Sequence, residues 1–360
     1  MIEFPPGLLL IIGAILVPLL PQVVRNAYML ALPIVGFWGL LIIPEGVHFA
    51  FDIFGYTLSP VRIDGLSLIF GYIFHIAAAI SIIFAFHIKD TVQQMSGLIY
   101  AGAAIGGAFA GDLITLFIYW EATAIASVFL IWSSRTEAAY RTGMRYLIIQ
   151  VGSGVLLLAG AIIHYKETGS LDFTKMGLTG LGPVLIFIAF GIKAAFPLLH
   201  NWLQDAYPEA TVTGTVFLSA FTTKLAIYAL ARGFPGTEML IWIGATMTAF
   251  PIFYAVIEND LRRVLAYSLN NQLGFMVVGV GIGTELALNG TAAHAFSHIL
   301  YKALLFMSMG AVLYRTGTIK GSELGGLYKS MPYTTGFCIV GAASISAFPL
   351  FSGFISKSLI

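Results

Sequence analysis

Runs of about twenty mostly apolar residues recur along nearly the whole chain, and nothing else in the sequence narrows its fold as much. A helix needs about 20 such residues to cross the hydrocarbon core of a bilayer. The runs lie near residues 5–23, 27–44, 66–88, 93–111, 113–132, 146–165, 181–199, 212–231, 239–257, 264–283, 290–313 and 334–360. They predict an all-α, polytopic membrane bundle of about twelve spans. Composition agrees: 58% of the 360 residues are hydrophobic and 10% charged, where a soluble domain carries roughly a quarter charged residues. A net charge of +1 gives no reason to expect a nucleic-acid partner. The single cysteine, Cys338, excludes an intramolecular disulfide and any Cys-based iron–sulfur or zinc site. Its apolar surroundings predict a small buried residue. The amino terminus, Met1-Ile2-Glu3-Phe4, is acidic where a signal peptide is basic, so the first span is expected to be retained.

Lysines and arginines orient the spans. Loops after odd-numbered spans hold Arg25, Lys89, Arg135, Arg141, Arg145, Arg262, Arg263, Arg315, Lys320 and Lys329, whereas loops after even-numbered spans hold Arg62, Lys166, Lys175 and Arg232. The odd loops are expected to face the cytoplasm of a prokaryotic cell, with the amino terminus outside. The polar stretch His200–Glu209, with Trp202 and Tyr207, reads as an interfacial or re-entrant connection. Two spans contain Ala-Phe-Pro-Leu, at 195–198 and 347–350. Proline removes a backbone donor and frees a carbonyl in the preceding turn. Helix breaks are therefore expected near Pro197 and Pro349, each beside a lysine, Lys193 or Lys357. The shared tetrapeptide hints at an inverted internal repeat, with peripheral spans over 1–92, a first copy over about 93–232 and an incomplete second over about 239–360.

Ionisable side chains inside a membrane are costly unless paired or hydrated, and they mark function by default. Lys193, Lys224, Lys302 and Lys357 fall within apolar runs, as do Glu121, His294 and His298. Burial disfavours the charged form of such groups, which brings proton exchange towards neutral pH. A carboxylate near a lysine restores both charges, so joining or separating Glu121 and a lysine would act as a protonation switch. His294, His298 and Lys302 are spaced i, i+4, i+8 and form one helical stripe roughly 12 Å long, suited to a water-assisted relay. A metal site is not expected there, because the intervening residues supply no acid. Snorkelling at a helix end is the plainer account of a single lysine, above all Lys357. A locking ion pair is the plainer account of Glu121. His75, His87 and His164 are expected to pack or sit at interfaces, and Asp64 and Asp112 to cap helices.

Several stretches resemble the antiporter-like family shared by Mrp-type sodium/proton antiporters, the proton-pumping membrane subunits of respiratory complex I and membrane-bound energy-converting hydrogenases. They are Asp64–Ser67, Phe117–Glu121, Lys193–Leu198 with Trp202-Leu203, Asp260–Ser268 with Gln272–Gly274, His298–Phe306 and Ser352–Lys357. The resemblance implies a proton path along Glu121, Lys193, Lys224, His298, Lys302 and Lys357. It implies no redox cofactor in this chain, partner membrane subunits beside it, and H+ with or without Na+ as the transported ion. Within the family, the D-type subunit of a Mrp antiporter is the first expectation. A complex I or hydrogenase subunit is the second, and a scaffold with purely structural ion pairs is the reading from a different class. Family members usually have fourteen spans, so this chain reads as shortened.

Overall fold

A computed structural model describes residues 5–360; the reading of Met1-Ile2-Glu3-Phe4 lies outside the described residues. The chain begins with α1 (Pro6–Leu16), a short 3-10 turn and α2 (Gln22–Leu40). Four short strands follow: β1 (Gly46–His48), β2 (Phe51–Ile53), β3 (Tyr56–Leu58) and β4 (Val61–Ile63). Strands β2 and β3 pair antiparallel inside the antiparallel β1–β4 pair, with Phe51 opposite Leu58 and Gly46 opposite Ile63. Next come α3 (Gly65–Phe84), α4 (Thr91–Phe109), α5 (Leu113–Trp132), α6 (Glu137–Thr168), α7 (Leu181–Lys193) and α8 (Asn201–Glu209). The remainder is α9 (Val212–Ala220), α10 (Thr222–Gly233), α11 (Met239–Ile257), α12 (Leu261–Ile282), α13 (Glu285–Thr316), α14 (Leu327–Ser330), α15 (Pro332–Ile345) and α16 (Ser352–Leu359).

Helix falls on each apolar run read from the sequence. Among the described residues, α2, α3, α5, α6, α9 with α10, α11 and α13 are long and apolar enough to cross a membrane. Helices α6 and α13 have 32 residues each, about 48 Å at 1.5 Å per residue. That exceeds the roughly 30 Å hydrocarbon core, so α6 begins at Glu137, well before the predicted 146. The pair α9–α10 is buried at every residue from Thr213 to Ala231, whereas α2, α11 and α15 lie at the perimeter with few buried residues. Cys338 on α15 is consequently half-buried rather than buried.

The predicted caps form. Asp64 accepts from the Ser67 amide at 2.9 Å, while its own amide donates to Ser67 Oγ at 2.8 Å, a reciprocal capping box. Asp112 accepts from the Thr115 amide at 2.7 Å. The His200–Glu209 connection is α8, and Trp202 and Tyr207 are buried instead of facing lipid. Their polar tips find protein partners: Trp202 Nε1 donates to the Ile192 carbonyl at 3.0 Å and Tyr207 to the Leu218 carbonyl at 2.8 Å. Arg262, at the start of α12, donates to the carbonyls of Tyr207 (3.3 Å), Ala210 (2.7 Å) and Thr211 (3.4 Å) and to the Thr215 hydroxyl, and so holds the far end of α8.

Elements recur at a spacing of 148 residues. Helices α4 and α11 have 19 residues each. Asp112 caps α5 and Asp260 caps α12; Thr136 caps α6 and Thr284 caps α13. Gly169 and Gly317 end the two long helices with φ of +74° and +77°, a left-handed turn that glycine adopts without steric cost. Isolated bridges join Asp112 to Asp172 and Asp260 to Lys320. The two Ala-Phe-Pro-Leu segments, 152 residues apart, share one backbone. Ala195 and Leu198 have φ of +62° and +70°, and Ala347 and Leu350 have +56° and +74°. The amide of Phe196 reaches the Gly191 carbonyl at 3.0 Å, and that of Phe348 reaches Ala343 at 3.0 Å. Both helices stop just before the proline, as a missing donor requires.

Candidate functional site

In the first half, Lys193 is the last residue of α7 and has no exposed surface. Its Nζ donates to the Trp120 carbonyl (2.5 Å) and Thr123 Oγ1 (2.7 Å) on α5, and it lies 4.5 Å from the centroid of the Trp120 ring. Glu121, on the same helix α5, points instead at α6. Its Oε1 fills the space a Cβ would take at Gly154, so any larger residue there would displace the carboxylate. This oxygen is buried without a hydrogen-bond partner. Glu121 and Lys193 interact electrostatically, yet the lysine's hydrogen bonds go to α5 and not to the carboxylate. The two are held near each other and apart.

At the centre, α9 gives way to α10 at Phe221, which has φ −106° and ψ −67°. No proline or glycine marks this interruption in Ser219-Ala220-Phe221-Thr222-Thr223. Buried Lys224 Nζ donates to the Ser219 carbonyl at 2.6 Å and contacts Thr223 Oγ1 at 3.3 Å. The Thr222 amide donates to the Tyr100 hydroxyl at 2.9 Å, and that hydroxyl also pairs with Thr222 Oγ1 at 2.7 Å. A cation on the carbonyl end of α9 is favoured by the helix dipole.

In the second half, the stripe His294, His298, Lys302 on α13 is buried as a unit. The His294 and His298 rings are 6.1 Å apart. His294 Nδ1 bonds Ser356 Oγ at 2.9 Å, and Lys302 Nζ bonds the Ser268 hydroxyl. Neither ring nitrogen of His298 has a protein partner. Lys357 turns inward instead of snorkelling: its Nζ donates to the Ile345 carbonyl at 2.8 Å, at the end of broken α15, and lies 4.9 Å from the Phe275 ring centroid. Lys224, His294, Lys302 and Lys357 all act electrostatically on His298. The structure therefore gathers five of the seven predicted groups into one cluster and the other two, Glu121 and Lys193, into a second. Among the described residues, no three His, Cys, Asp or Glu side chains converge as a metal site.

Residues 110–360 match the family model described as NADH:quinone oxidoreductase/Mrp antiporter, TM. The chain belongs to that family. The D component of the Na(+)/H(+) antiporter of Alkalihalophilus pseudofirmus is 33% identical over 276 residues, covering 71% of this chain and 56% of that protein. The N component of the NADH-quinone oxidoreductase of Desulforudis audaxviator is 32% identical over 281 residues, covering 72% and 56%. The solved Mrp complex from Dietzia sp. superposes with a TM-score of 0.88 at 27% identity, over 98% of this chain and 42% of that one. The chain spans about half the length of these curated relatives. It is a multi-pass membrane protein of the antiporter family.

Around the family's buried charges stand residues that sequence reading passed over. They are the hydroxyls that hold the amines (Thr123, Thr223, Ser268) or His294 (Ser356), and the buried amides Gln150 and Asn270, whose side-chain atoms are all without protein partners. Thr123, Thr223 and Ser356 lie within two residues of Glu121, Lys224 and Lys357, which was the available signal for them; Ser268, Gln150 and Asn270 carried none. Outside the spans, Asp64 forms a third charged cluster. Arg232 Nη2 lies 2.7 Å from Asp64 Oδ1, Arg62 Nε 3.6 Å from Oδ2, and Arg232 Nε donates to the Tyr228 hydroxyl at 2.8 Å. Burial pushes the Asp64 carboxyl up, but Arg232, the Ser67 amide and Arg62 outweigh it and hold the pKa below the ordinary carboxylate value.

Proposed function

We propose that this chain is a proton- or Na+/H+-translocating membrane subunit of a multisubunit antiporter, of the D type found in Mrp complexes. The observation that carries the reading is the arrangement of Glu121 and Lys193. Lys193 is buried and Glu121 partly so, the two are in electrostatic reach of one another, and the buried Oε1 of the carboxylate has no partner while the amine is parked on α5. An acid and a base that interact without a hydrogen bond between them form a switch that a movement closes, which a purely structural ion pair would not need. Lys224, His294, His298, Lys302 and Lys357 then serve as the relay. The likeness to an NADH-quinone oxidoreductase component supports a second reading, the same proton-moving role beside a redox partner.

In this reading the chain carries no redox centre of its own and works beside other membrane subunits in a prokaryotic plasma membrane, with its amino terminus outside. About twelve spans are arranged as peripheral helices over 1–92 and two copies of one unit over about 93–232 and 239–360. The test is Lys193→Ala and Lys193→Arg in everted vesicles carrying the assembled complex, with a fluorescent pH probe. Both substitutions are expected to lower ion-coupled transport at least about a hundredfold, because arginine keeps the charge but cannot shed its proton. Wild-type transport in either variant would end the proposal. Lower complex yield on blue-native gels, with full activity per assembled complex, would favour a scaffold.

A further inference from the structure

Two independent observations meet at Gln150. The first is register. The caps Asp112/Asp260 and Thr136/Thr284, the bridges they flank, and the equal lengths of α6 and α13 all repeat at 148 residues. At that spacing Gln150 holds the place in α6 that His298 holds in α13, Tyr146 the place of His294, and Gly154 the place of Lys302. The second is hydrogen bonding. Gln150 has no exposed surface, and neither its Oε1 nor its Nε2 has a protein partner, the condition of both ring nitrogens of His298. Buried polar groups left this way are costly unless water serves them.

Its position gives that cost a purpose. One turn along α6, about 6 Å away, Gly154 seats the Glu121 carboxylate. One turn the other way, the Tyr146 hydroxyl pairs with Ser127 Oγ at 2.8 Å and faces the Thr222 side chain, two residues before Lys224. Gln150 thus stands between the Glu121–Lys193 group and the central lysine, on a stretch of α6, 146–154, that has no Lys, His or carboxylate.

We infer that Gln150 is a positioning residue of the ion path, whose amide orders the water that joins Glu121 to Thr222 and Lys224. The inference rests on the transport reading above. The amide nitrogen donates to one water and the carbonyl oxygen accepts from the next. A proton crosses by each water giving one proton and taking another, and the amide ends unchanged. It does without titrating what an imidazole does in the second half.

The experiment measures transport in everted vesicles for Gln150→Leu and Gln150→His in the assembled complex, with Lys193→Ala in parallel. Gln150→Leu is expected to fall at least about tenfold at unchanged complex yield. Gln150→His is expected to restore most of the rate and to add a pH dependence near the imidazole range of about 6.5. If Leu destabilises assembly, Gln150→Met supplies an unbranched apolar side chain for the same reading. Full activity in the apolar variant, or equal loss in the apolar and histidine variants, would overturn the inference and mark the position as packing only. Loss in Lys193→Ala with full activity in Gln150→Leu would sink this inference alone. Full activity in Lys193→Ala would sink the transport reading beneath it.

Discussion

The two halves of the bundle share a backbone plan and differ in charge. Each has an Asp-capped helix, a 32-residue helix and an Ala-Phe-Pro-Leu break with the same two left-handed residues. In the first half the long helix presents Gly154, and an acid, Glu121, occupies the space. In the second half the same place carries Lys302, and position 269, the counterpart of 121, is leucine. One half therefore sets an acid near a base, and the other gathers bases alone. The lesson is that a glycine shapes such a site as much as a lysine does, because its missing side chain makes room for the carboxylate.

Changes at matched positions break or sharpen that comparison. After Lys193 and Gln150, the largest effect is expected at Gly154→Ala. The added methyl overlaps Glu121 Oε1 and displaces the carboxylate from its seat, which is expected to cut transport about tenfold in the vesicle assay. Unchanged transport would show that the carboxylate seat is not needed. Next come Ala195→Gly and Ala347→Gly, which relieve a left-handed alanine in each break. Each is expected to stabilise the folded protein by about 1 kcal/mol, seen as a raised melting temperature. Unequal responses would show that the two breaks are alike only in backbone.

The smallest effect is expected at Asp64→Asn. Asparagine keeps the cap and removes only the charge beside Arg232. Because the folded carboxyl titrates below its ordinary value, its contribution is full above the ordinary carboxylate value and is lost as pH falls through the lower, folded one. The variant should lose less than about 1 kcal/mol at pH 7, since the pair is partly exposed, and that loss should shrink at about pH 3, below the ordinary carboxylate value. Thermal unfolding at the two pH values checks this; a loss undiminished in acid would assign the effect to something other than charge.

How much of this was legible follows from the physics of each feature. Lipid-length apolar runs read directly, and so did the breaks at Pro197 and Pro349, because proline cannot donate. The caps at Asp64 and Asp112 read from side-chain chemistry. The break at Phe221 left no trace, since its only unusual features are the carbonyl taken by Lys224 and the amide taken by Tyr100, both contacts made by side chains in the folded bundle. The four strands between α2 and α3 are three residues each, too short for a period to show. Only a tetrapeptide of the internal repeat was visible, because the match lies in cap residues 148 apart and not in the apolar faces, where many side chains serve equally. Gln150 was invisible for the same reason. An amide in a span reads as tolerated polarity until its position against His298 is known.

Helix α8 has a mechanical consequence. It is bolted at one end to the α7 stump by Trp202 on Ile192, and at the other to α12 by Arg262 on the carbonyls of Tyr207 and Ala210. It is a strut between the two halves. The Lys193 end of α7 cannot travel relative to α12 unless one of those fastenings lets go.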